Sequence, residues 1–160
     1  MLRKFLPIAA AAALAGLVVG GVSGASSSEG PSGHNFTLIE VEDTFTFVDV
    51  DNSGDGPTVG DEFIFTNVLK NATKTETVGR DTVICTFTVV APEADATARC
   101  EGTIKLFGRG TLEGSGLIKL SQSTFKIAIN GGTGRYDEAQ GQIVGRDLND
   151  TDTELRFDID

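Results

Sequence analysis

Thr82-Val-Ile-Cys-Thr-Phe-Thr-Val-Val-Ala-Pro-Glu-Ala-Asp-Ala-Thr-Ala-Arg-Cys-Glu-Gly-Thr-Ile-Lys-Leu106 carries both cysteines of the chain and two strand-like runs around one turn signal. Folding the segment at Pro92/Glu93 sets Cys85 opposite Cys100. Directly opposed residues of an antiparallel pair have Cβ atoms about 4.5–5.5 Å apart, and a disulfide asks for roughly 3.5–4.5 Å. A small adjustment suffices, so the spacing predicts a Cys85–Cys100 bridge across a hairpin; the alternative is two buried free thiols. Side-chain alternation then puts Val83, Cys85 and Phe87 on one face, with Cys100, Ile104 and Leu106 on the matching face of the partner run. Both sets are apolar, which makes this face the natural interior.

The same alternation extends along the chain. Strand-like runs are Thr37–Phe47, Glu62–Leu69, Thr82–Val90, Ala98–Phe107, Gly116–Ser121, Thr124–Asn130, Gln142–Asp147 and Glu154–Ile159. β-Branched and aromatic residues dominate them, and Gly, Asn, Asp and Pro fill the gaps. No stretch beyond the N-terminal segment has a helical period. Eight short strands at this spacing predict an all-β barrel or sandwich.

Residues 1–25 read as a signal peptide: Arg3 and Lys4, an apolar run from Phe5 to Val19, then small residues with Ser23 and Ala25 suited to cleavage. The apolar run is about 15 residues, short of the roughly 20 that span a bilayer. An uncleaved anchor is the other reading. Residues 26–35 are a Gly/Ser-rich leader expected to be disordered, with the single histidine, His34, near its end. The domain is expected over 36–160, in a secreted protein, extracellular or periplasmic, where a disulfide persists. Loss of Arg3 and Lys4 leaves 11 basic against 23 acidic residues, a net charge near −12. Such a field repels nucleic acid and anionic membranes, and no membrane insertion is expected after processing.

Val59-Gly-Asp-Glu-Phe-Ile-Phe-Thr-Asn-Val-Leu69 resembles the GD-x-x-x-FTN-x-L stretch of the allene oxide cyclases. Gly79, Cys85, Pro92-Glu93 and Phe107-Gly108 follow in the family's order and near its spacing. Gly131-Gly-Thr-Gly-Arg-Tyr-Asp-Glu-Ala-Gln-Gly141 resembles a signature shared by these cyclases and dirigent proteins. The resemblance implies an eight-stranded antiparallel up-and-down barrel, often a homotrimer, holding a small hydrophobic molecule in its lumen. It implies cyclisation or isomerisation without a cofactor, by shaping a reactive ligand and excluding water. Glu40 falls where the cyclases have a cavity glutamate that would stabilise positive charge on the ligand. Asn67 matches an asparagine of the epoxide-gripping site, Phe63 and Phe65 share its face, and Cys85 matches a cavity-lining cysteine. Glu42 stands where the cyclases carry asparagine, and their Ser-Pro water-binding segment has no counterpart, which argues against the literal cyclase reaction.

The residues also admit plainer readings. Glu40 is equally a satisfied strand carboxylate or an interface charge, Asn67 a capping amide, and Gly131–Gly134 a tight turn. Asp51, Ser53, Asp55, Gly56 and Glu62 fit the oxygen-ligand spacing of a 12-residue calcium loop, or else form a polar hairpin loop. A binding or structural barrel without catalysis, calcium-stabilised or not, is the alternative to a cyclase.

Overall fold

A computed structural model of the chain describes residues 35–54, 56–90 and 96–160. The expected signal peptide and leader lie outside these residues, Asn35 excepted, as do Asp55 and the turn at Pro92/Glu93. Eight strands follow in chain order: β1 (Asn35–Val48), β2 (Glu62–Asn71), β3 (Thr77–Val89), β4 (Thr97–Leu106), β5 (Gly110–Lys119), β6 (Thr124–Gly132), β7 (Gly141–Asp147) and β8 (Asp152–Ile159). Each pairs with its neighbour, and β1 pairs antiparallel with β8, closing an up-and-down barrel. Closure removes the free sheet edges that would otherwise invite aggregation. Among the described residues, no helix is long and apolar enough to cross a membrane.

The hairpin forms as its sequence predicts: Cys85 pairs with Cys100 in the β3–β4 register and the two are disulfide-bonded. Two strands are longer than their sequence pattern suggests. β5 starts at Gly110, not Gly116, because Gly114, like Gly116, is a close-packing strand position and not a loop residue. A Cβ at Gly116 would lie 2.6 Å from the Lys126 carbonyl oxygen, so the two backbones can approach only without side chains there. β3 starts at Thr77, not Thr82, which brings Gly79 and Asp81 onto the face of Cys85.

Two apolar clusters fill the interior. The lower one, toward the chain termini, gathers Leu38, Leu69, Leu106, Leu112, Ile143 and Phe157 among others. The upper one joins Phe63, Cys85, Phe87, Ala96, Ala98 and Cys100. The Gly131–Gly134 segment is a tight turn: Gly134 has φ +66°, and a Cβ on it would meet the Arg109 carbonyl oxygen at 2.5 Å. Only a three-residue 3-10 turn, Gly134–Tyr136, follows before β7, so nothing here forms the helix N-terminus that a phosphate loop needs.

β1 and β8 meet over a limited length. Their register ends at Val41↔Asp152, while β1 runs on to Val48 against β2 alone. A bulge at Asp43 separates the two halves of β1, and beyond it Phe45 lies opposite Phe65 and Phe47 opposite Phe63. The barrel rim is therefore tall along β1–β4 and low at β7–β8.

Candidate functional site

The polar centre of the barrel lies where β1, β2 and β3 run side by side between the two apolar clusters. Asn67 on β2 is 4 % exposed. Its Nδ2 donates to Glu40 Oε1 on β1 at 2.9 Å and to Asp81 Oδ1 on β3 at 2.7 Å. One amide nitrogen thus binds two carboxyls with its two hydrogens. Asp81 is 3 % exposed, and its second oxygen, Oδ2, is buried with no hydrogen-bond partner. Keeping that oxygen charged would cost free energy, which favours a proton shared with the Glu40 carboxyl.

The two carboxyls perturb one another. Burial, the Asp81 charge and a hydrogen bond to Asp81 hold the Glu40 pKa well above the ordinary value, against the lowering effect of Asn67; the more distant Asp147 charge adds to the rise. Asp81 is also raised by burial, with the hydrogen bonds from Glu40 and Asn67 opposing. The proton belongs to the pair more than to either residue. Asp147, two residues beyond buried Gly145 on β7, is raised by burial too, and Thr153 Oγ1 contacts its Oδ1 at 3.3 Å. Such a pair can donate a proton, accept one, or face a developing positive charge.

Above this centre stands a wall of rings. Phe45 contacts Phe65 at 5.3 Å between centroids, Phe65 meets Phe63 at 5.4 Å, and Phe63 meets Phe87 at 5.2 Å. Phe45 is 54 % exposed and Phe47 42 %, because β8 does not rise to cover them. Val83 and Cys85 continue the inner face in the upper cluster, while Ile104 and Leu106 both belong to the lower cluster.

Sequence reasoning found Glu40 and Asn67 but missed Asp81. The signal was present: Asp81 is four residues before Cys85, so strand alternation alone puts it on the cysteine's face. It was lost because the strand-like run starts at Thr82, just past Asp81, whereas β3 begins at Thr77.

The β1–β2 loop assembles a different acidic set from the one its spacing suggests. Carboxylate oxygens of Asp49, Asp51 and Asp61 lie within 4.8 Å of one another. Asp61 accepts from the Val50 and Thr58 backbone amides, each at 2.8 Å, and the Ser53 amide donates to Asp51. Glu62 instead opens β2, with Oε1 3.4 Å from Thr86 Oγ1.

A family model described as the allene oxide cyclase barrel like domain matches residues 41–159. The chain belongs to this family. The allene oxide cyclase barrel like fold recurs in solved structures, of which three are informative. A pyocyanin demethylase is 28% identical with a TM-score of 0.69, the match covering 79% of this chain and 99% of that one. An exo-specific intermolecular Diels-Alderase is 15% identical with a TM-score of 0.62, covering 79% and 98%. A pterocarpan synthase dirigent protein is 18% identical with a TM-score of 0.54, covering 78% and 90%. The last two show shared architecture alone. No curated protein sequence matches this allene oxide cyclase barrel like chain.

Proposed function

We propose that this secreted barrel binds a small, largely apolar molecule against the phenyl wall and acts on it through the Glu40–Asp81 pair, with Asn67 holding both carboxyls in place. The observation that carries the reading is the pair itself: two buried carboxyls on one amide, between apolar clusters. Cyclisation or isomerisation suits such a site, since protons move and charge shifts within one ligand while no group need leave. That a structural neighbour 28% identical to this chain is a pyocyanin demethylase supports a small-molecule site in this type of barrel. No cofactor enters this reading, and a homotrimer would leave the site within each barrel.

The test starts from small molecules that co-purify with the protein, detected by native mass spectrometry and identified after extraction. Wild type is expected to convert the ligand, and Glu40→Gln to slow conversion by about 10²-fold or more while still binding it. Equal rates would remove Glu40 from the chemistry. Binding without conversion by wild type would leave a carrier barrel.

A second reading concerns the β1–β2 loop, which we propose holds calcium. Asp49, Asp51 and Asp61 offer hard oxygen donors at close quarters, and Asp49 Oδ1 is buried without a partner. Calcium is expected to raise the melting temperature relative to chelator; superimposable melts would end this reading.

A further inference from the structure

The charges of the barrel are sorted by face. Arg80, Arg99, Lys105, Lys119, Lys126 and Arg146 all occupy outward positions in the strand alternation. Acidic residues occur on both faces, and inward positions of the strands hold Glu40, Glu42, Asp81 and Asp147 with no strand lysine or arginine among the described residues. An anion entering this interior would meet carboxylates from three strands and no countercharge.

Two further features narrow the ligand. Asp81 Oδ2 is buried and accepts from no N–H or hydroxyl group, so the proton shared with Glu40 is what a cation would replace on that side. Phe65 is two residues above Asn67 on the same face of β2, about 7 Å along the strand, and it links the exposed Phe45 to buried Phe63 and Phe87. Phenyl faces attract cations as well as apolar surface. A neutral apolar molecule would satisfy the rings but bring no charge to face the two carboxyls.

We propose that the lumen selects an amphiphilic organic cation, its flat apolar body against Phe45, Phe63 and Phe65 and its positive nitrogen toward Glu40 and Asp81. The inference rests on the reading of the lumen as a ligand site and gives that site its substrate class. Asn67 keeps the two carboxyls together when no ligand is bound, and Asp147 adds attraction from across the mouth.

The experiment compares three bicyclic probes of one size: N-methylquinolinium, neutral 1-methylnaphthalene and anionic 1-naphthoate. The protein has no tryptophan and one tyrosine, so probe fluorescence is read with little background. At about pH 8, the full mature chain is expected to bind the cation at least tenfold tighter than the neutral probe, with the anion weakest. Glu40→Gln is expected to reduce that preference, and Glu40→Gln/Asp81→Asn to abolish it while affinity for 1-methylnaphthalene stays within about twofold. If the double variant does not fold, the single variant alone decides. Equal affinities in wild type would overturn the cation assignment and leave the ligand site standing. So would a preference that survives these substitutions, since the cation would then sit on the acidic exterior. Failure of all three probes to bind would remove the ligand site itself.

Discussion

Glu40 has a higher pKa in the folded barrel than in an unfolded chain, where it titrates near ~4.3. The folded state therefore binds more protons than the unfolded state between those two values, and stability falls as pH rises through that window. Asp152 behaves oppositely. Hydrogen bonds from Lys74 and Asn149 lower its pKa, so its contribution is present above the unfolded value and lost in acid. Denaturant titrations at about pH 4.5 and about pH 8 are expected to show wild type weakening between the two, and Glu40→Gln weakening less. Parallel behaviour of the two proteins would contradict the buried-pair assignment. At this scale the sequence was partly legible. Glu40 and Asn67 were recognisable from their motifs, but a residue's partner across the sheet depends on register, which residue type does not reveal.

The β3–β4 hairpin is the element most fully specified by its own residues, because the cysteine spacing, the turn signal and the apolar alternation all agree on one register. Replacing both cysteines by alanine is expected to cost about 3 kcal/mol in the chain-entropy account of a 15-residue loop, measured by denaturant unfolding. A thiol reductant should produce a similar loss in wild type and none in the variant. β5 was less legible, since a glycine such as Gly114 serves as loop punctuation in one context and as a close-packing position in another. The β1–β2 loop shows the same limit. Its oxygen-rich spacing was visible, but the loop winds around Asp61, whose carboxylate takes the Thr58 and Val50 amides. Asp61→Ala is expected to lower the melting temperature and to loosen residues 49–60, seen as faster amide exchange confined to that loop.

For the whole molecule, period-two patterning and turn residues were enough to count eight strands, while closure into a barrel came from the family resemblance. Alternation alone cannot distinguish a closed sheet from two stacked ones, because both bury one face of every strand. Closure brings Phe36 and Phe157, near opposite ends of the sequence, into stacking at 4.4 Å. Pairings so distant in sequence are entropically expensive to form early, so folding is expected to be slow, with β1–β8 contacts formed late. Leu69, fully buried in the lower cluster, contributes to that endpoint, and Leu69→Ala is expected to cost about 2–5 kcal/mol in denaturant unfolding. The stepped rim has a consequence in time as well as space. From Thr44 to Val48, β1 has a partner strand on one flank only, so this stretch can swing outward without breaking the ring of strands below it. The disulfide braces the β3–β4 hairpin beyond β2, and a guest would therefore arrive by way of a gate hinged at the Asp43 bulge.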